Sequence, residues 1–107
     1  MLRPDQIQRA AQRVAAAATS PATVIVFGSY ARGDADEASD LDLIVVEPAL
    51  VDEAAEYLRL KAAAGRMGVG VDLLLFSRCE FDRRSQVPGT LPYWATREGK
   101  VLHDATA

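Results

Sequence analysis

Apolar positions along the chain switch between two periods, and the switches divide it into elements. From Pro4 onward Ile7, Ala10, Ala11, Val14 and Ala18 recur at helical spacing, with Gln8, Arg9, Gln12 and Arg13 largely opposite; this predicts an amphipathic helix that stops near Ser20-Pro21. Thr23 to Phe27 is short, β-branched and apolar on both faces, the pattern of a central strand, and it ends at Gly28. Leu41 to Val46 repeats that pattern and is ended by Pro48. A second helix follows on Val51, Ala54, Ala55 and Leu58, with Asp52, Glu53 and Glu56 near its positive end and Gly65 and Gly68 at its stop. Val69 to Phe76 reads as a third buried strand. Pro88 to Glu98 reads as a last helix capped by Gly99, with Val101-Leu102 as a short extended tail. The segment from Ser77 to Pro92 is the least diagnostic. The order is helix, strand, polar turn, strand, helix, strand, helix: an α+β or α/β fold with a small mixed sheet.

Composition narrows the class. A chain of 107 residues has the length of one domain spanning residues 1–107, able to bury roughly two-thirds of its unfolded surface in one core. A net charge of -3 argues against stand-alone nucleic-acid binding, which needs a basic surface. Arg78, Arg83 and Arg84 cluster locally, as a solvated face or as a small anion-binding patch. The one cysteine, Cys79, excludes an internal disulfide and a cysteine-based zinc site, and the one histidine, His103, excludes a multi-histidine metal centre. Without an apolar signal-peptide core or a membrane-length apolar run, the expected location is the cytoplasm.

The chemistry concentrates in FGSYARGDADEASDLDLIVV, residues 27–46. Asp40 and Asp42 stand two apart where a buried strand begins, so they project from one face, continued by Ile44 and Val46, while Leu41 and Leu43 enter the other. Side-by-side carboxylates at the end of a buried sheet repel and lose solvation. A divalent cation relieves that cost, and magnesium suits an Asp-x-Asp pair completed by substrate phosphates. Asp72, inside GVGVDLLLF, is a third strand carboxylate. Alone it reads as a salt-bridged or edge residue; beside an Asp-x-Asp it can ligate a second metal and take a proton from an attacking hydroxyl. Gly28-Ser29 leaves the first strand directly. It either turns the chain or opens a helical turn whose N-H groups seat phosphates, with Arg32 adding a charge. Asp34, Asp36 and Glu37 read as a solvated loop. Trp94, with Leu91 and Tyr93, reads as core ahead of the alternative, an exposed anchor for a partner; His103 reads as a surface or packing residue and Cys79 as unreactive.

Together, Gly28, Ser29, Ala31, Gly33, Ser39, Asp40, Leu41 and Asp42, then Asp72 in VDLLLF and the closing REGKVLHD, resemble the DNA polymerase β-like nucleotidyltransferase superfamily. Within it they are most similar to the minimal nucleotidyltransferases found as antitoxins beside HEPN-family toxins. The resemblance implies a mixed sheet with flanking helices and ATP or another nucleoside triphosphate as donor. It implies two magnesium ions among Asp40, Asp42 and Asp72, with the β- and γ-phosphates on Gly28 and Ser29, and Arg32 and Ser39 as further phosphate ligands. The implied reaction is attack of an acceptor hydroxyl on the α-phosphate with release of pyrophosphate. The expected acceptor is a protein hydroxyl, a tyrosine of a cognate HEPN toxin. The rival readings are neutralisation of the toxin by complex formation alone and transfer to a small molecule such as an aminoglycoside, the latter disfavoured because so short a chain leaves no separate acceptor-binding domain.

Overall fold

A computed structural model describes residues 1–105 of the chain. In chain order its elements are α1 (Pro4–Ala17), β1 (Thr23–Phe27), a one-turn α2 (Ser29–Arg32), β2 (Leu41–Glu47), α3 (Glu53–Ala64), β3 (Val71–Ser77), α4 (Arg78–Ser85), α5 (Leu91–Glu98) and β4 (Lys100–His103). The four strands form one mixed sheet ordered β3-β2-β1-β4. β1 is antiparallel to both β2 and β4, whereas β2 and β3 are parallel and joined through α3. This is the small mixed sheet with flanking helices expected from the sequence.

Both faces of the sheet are covered, which explains why its inner strands are apolar without alternation. On one face Val24, Val26, Leu41, Leu43, Val45 and Leu73 pack with Ile7, Ala11 and Val14 of α1 and Leu60 and Ala64 of α3. On the other, Ile25, Ile44 and Val46 meet Phe81 of α4 and Ala95 of α5, joined by half-buried Phe27, Leu74 and Phe76. Even-numbered positions of β2 and β3 therefore point to the α4–α5 face, and Asp42 and Asp72 belong to that set.

Two expectations are corrected and two are filled in. α3 is where the periodicity puts it, but it turns Glu56, Leu60 and Ala64 inward and leaves Val51 and Leu58 exposed. Its sequence offers two apolar stripes, and the crossover from β2 to β3 selects the one that contains an acid. Trp94, read as core, is 47% exposed, because α5 buries Pro92 and Ala95 instead. The segment RCEFDRRS is a helix, α4, with a single buried apolar residue, Phe81. It is held by its Ser77 cap, which accepts from the Glu80 N–H at 3.2 Å, and by ion pairs one turn apart. Those pairs occupy the basic cluster: Arg83 and Arg84 both reach Glu80, at 2.6 and 2.5 Å, and Arg78 reaches Asp82 at 3.3 Å. The closing residues, expected as an extended tail, pair with β1 as a full edge strand. No helix among the described residues is long and apolar enough to cross a membrane.

Candidate active site

The parallel register of β2 and β3 pairs Asp42 with Asp72, so two acids separated by thirty positions lie side by side on one face at one end of the sheet. Phe27, the last residue of β1, is the antiparallel partner of Asp42, which brings the Gly28-Ser29 turn to the same end. Asp72 is exposed at the second position of β3. Its position at the strand's opening is less buried than its apolar sequence context implies.

Two glycines make room for this crowding. Gly28 holds φ 75°, a conformation that favours glycine, and a Cβ there would collide with Asp42 Oδ2. A Cβ on Gly70 would lie 2.5 Å from Asp40 Oδ1, so the Asp40 side chain lies across the start of β3. There the Leu41 N–H donates to the Gly70 carbonyl at 2.8 Å.

α2 opens at Ser29 directly after Gly28, whose carbonyl accepts from the N–H groups of Ala31 and Arg32 at 3.1 and 3.0 Å. Arg32 is the cation of the site. Its Nε donates to Asp34 at 3.2 Å, and its Nη1 lies 3.9 Å from Glu98 of α5. Ser39, expected as a phosphate ligand, has its hydroxyl within the loop: it accepts from the Asp36 N–H at 2.9 Å and donates to Asp36 Oδ1 at 3.1 Å.

Electrostatically the cluster is unbalanced. Asp42 is pushed up to about 6, first by burial, then by the hydrogen-bonding approach of Asp72 and the negative charges of Asp72 and Asp40, with only Arg32 pulling the other way. Among the described residues no group of three acids, histidines or cysteines is gathered closely enough to hold an ion unaided. Asp42 and Asp72 nevertheless fit a hard divalent cation. They are oxygen donors whose mutual repulsion a cation would relieve, and magnesium commonly takes one or two carboxylates and completes its shell with water and phosphate oxygens.

A glycine–serine turn after one strand thus faces acids from two others. A profile of the nucleotidyltransferase domain family, NTP_transf_2, matches residues 7–94. The chain belongs to this nucleotidyltransferase family. Among solved structures, the nucleotidyltransferase is similar to a chain from the crystal structure of a toxin-antitoxin with AMP-PNP. The two are 20% identical with a TM-score of 0.66, over 96% of this chain and 74% of that one. At that identity the likeness is one of fold. No curated protein sequence matches significantly.

The reading of the sequence missed two contributors to this end of the nucleotidyltransferase. Glu98 was seen only as the end of a helix, and its ion pair with Arg32 ties α5 to α2. Gly70 was unremarked, although a glycine two residues before a strand acid is itself a sign of close approach. Cys79 is exposed and free, on α4 rather than at this end.

Proposed function

We propose that this nucleotidyltransferase moves a nucleoside monophosphate, AMP from ATP, onto a hydroxyl of a partner protein, a tyrosine of a HEPN-family toxin, and thereby acts as an antitoxin. The observation that carries the reading is the side-by-side register of Asp42 and Asp72 with Gly28 pressed against Asp42. It supports a polyphosphate lying between the α2 turn and the acids. The toxin-antitoxin relative with AMP-PNP supports the nucleotide and the kind of partner.

Gly28 and Ser29 hold the β- and γ-phosphates, and Arg32 offers a charge at the mouth. Asp72 accepts the proton of the acceptor hydroxyl as its oxygen bonds to the α-phosphorus. The bond from that phosphorus to the bridging oxygen breaks, and the electron pair leaves with pyrophosphate. Asp42 and Asp72, with Asp40 beside them, would hold magnesium, which would neutralise the phosphate charge. The chain itself supplies position: orienting nucleophile and phosphate is worth several kcal/mol.

The test is incubation with labelled ATP, magnesium and a co-encoded HEPN protein, with the label located by mass spectrometry. Label on a toxin tyrosine, lost in Asp42→Asn with the complex still formed, is the expected result. Toxin neutralised equally well by Asp42→Asn would mean that complex formation suffices. Label on an aminoglycoside and none on the toxin would move the acceptor to small molecules.

A further inference from the structure

α5 lies across the sheet face that carries the acids, with Pro92 and Ala95 buried against it. Leu91, Trp94 and Glu98 are three, four and seven residues apart and so share one flank of the helix. One end of that flank is tied to the site and the other packs beside β3. Glu98 reaches Arg32 at 3.9 Å, and Arg32 is the cation that acts on Asp42. Leu91 lines the same groove as Leu74, which lies two residues beyond Asp72 on the same face of β3. Trp94 stands between them along the helix, 47% exposed and one turn before Glu98. Its ring is braced edge-on by Tyr93, at 5.2 Å between centroids and 88° between planes. Tyr93 is itself covered by the Arg97 guanidinium at 3.7 Å.

We infer that Trp94 is the stacking platform for the nucleobase of the donor nucleotide. The inference rests on the nucleotide site proposed above: with the phosphates between Ser29 and the acids, the base lies one ribose away, and the only large aromatic surface on that flank is Trp94. A braced indole loses little freedom when a base stacks on it, and stacking is tolerant of base identity because every base has a π-face. The rest of the flank offers no reader of base edges: Leu91 is apolar, and Glu98 is engaged by Arg32. The platform therefore favours purines over pyrimidines by area and discriminates weakly between adenine and guanine.

Trp94 is the sole tryptophan of the chain, so its fluorescence reports on this position alone. Titration with magnesium-ATP and magnesium-GTP should quench it to similar extents at similar concentrations, and magnesium-CTP should bind more weakly. Magnesium-tripolyphosphate, which has no base, should compete with ATP without quenching. By calorimetry Trp94→Ala should weaken ATP binding on the order of tenfold, leave tripolyphosphate binding unchanged and keep the far-ultraviolet spectrum of the folded protein, while Trp94→Phe should retain most of the ATP affinity. If tripolyphosphate binds but ATP affinity is the same in Trp94→Ala, the platform is refuted and the phosphate site stands. Loss of partner binding in Trp94→Ala with ATP affinity unchanged also refutes it, and makes Trp94 a docking residue. Failure of both ATP and tripolyphosphate to bind the wild-type chain refutes the nucleotide site and the platform with it.

Discussion

The sheet carries a pair of carboxyl groups at each end, and the two pairs are handled in opposite ways. At the mouth, Asp42 and Asp72 adjoin in register with Asp40 beside them and Arg32 as the counter-charge. At the far end Glu47, the last residue of β2, is 1% exposed, and Glu56 of α3 is 4% exposed. This second pair is enclosed by partners from its own chain. Glu56 accepts from the Thr19 N–H at 2.9 Å, the Thr19 hydroxyl at 3.1 Å and Arg59 at 2.5 Å. Glu47 Oε1 accepts from the Ser20 hydroxyl at 2.6 Å. A carboxyl pair whose needs are met within the fold fastens α3 and the α1–β1 loop to the sheet. A pair left open to solvent with excess negative charge is arranged for something that arrives from outside. Proximity of acids alone does not mark a site; the absence of balancing groups within the fold does.

The sharpest way to break this comparison is to neutralise one acid at each end. Asp72→Asn should lower transfer by about 10²–10⁴-fold, the usual contribution of a general base, and Asp42→Asn should abolish it along with magnesium-dependent ATP binding. Neither should lower the melting temperature, because each removes repulsion rather than a favourable contact. Glu56→Ala should do the reverse. It strips Thr19 and Arg59 of their acceptor and leaves Glu47 buried without its neighbour, at a cost of about 3 kcal/mol, while activity per folded molecule stays the same. Equal destabilisation by Asp42→Asn and Glu56→Ala in a denaturant titration would erase the distinction. A smaller effect is expected from Gly28→Ala, which meets both the positive φ and the Asp42 side chain. It should cost about 1–3 kcal/mol and raise the KM for the nucleotide, read from denaturation and steady-state kinetics on the same preparation.

The mouth was far more legible in the sequence than the far end. Asp40 and Asp42 stand out because acids interrupt an apolar run at its first turn of alternation, and period two assigns them a common face. The partnership of Asp42 with Asp72 follows from the parallel register that the α3 crossover imposes, and no local pattern encodes it; an acid inside an apolar strand, and then the family resemblance, pointed there. Glu56 was hidden by a sound rule: an acid near a helix start reads as a dipole partner facing solvent, and only the meeting of α3 with Thr19 turns it inward. α4 escaped because its support is electrostatic, Glu80 with Arg83 and Arg84, and leaves no apolar period to read. β4 supplies four residues of edge strand from a tail in which only Val101 and Leu102 looked extended, since pairing with β1 rather than propensity orders it. Trp94 was drawn toward the core by its size, although α5 is short enough to bury only two residues.

The finest test of the comparison is pH. Burial first, and then the hydrogen bond shared with Glu56, push Glu47 up to about 7. Burial also works to raise Glu56, but its hydrogen bonds with Glu47 and Thr19 and the charge of Arg59 outweigh it and hold Glu56 below the usual carboxylate range. Glu47 Oε2 is buried with no hydrogen-bond partner among the described residues; a proton on Glu47 makes it a donor to Glu56, so the pair keeps one proton between them. A group whose folded pKa is raised stabilises the fold at low pH and loses that contribution as pH climbs through the folded value; a group whose folded pKa is lowered loses its contribution as pH falls. The pair therefore favours folding most near pH 4.5, and the contribution of Glu47 declines from there until it is lost above about 7. From pH 6 to pH 8.5 Glu47 should withdraw about 1–2 kcal/mol, seen as a falling midpoint in urea titrations across that range. Glu47→Gln can donate to Glu56 and accept from Ser20 at any pH in that window, so its midpoint should stay level. A wild-type profile already level from pH 6 to pH 8.5 would mean that Glu47 is ionised in the folded protein, and that the far end holds its acids by the same open arrangement as the mouth.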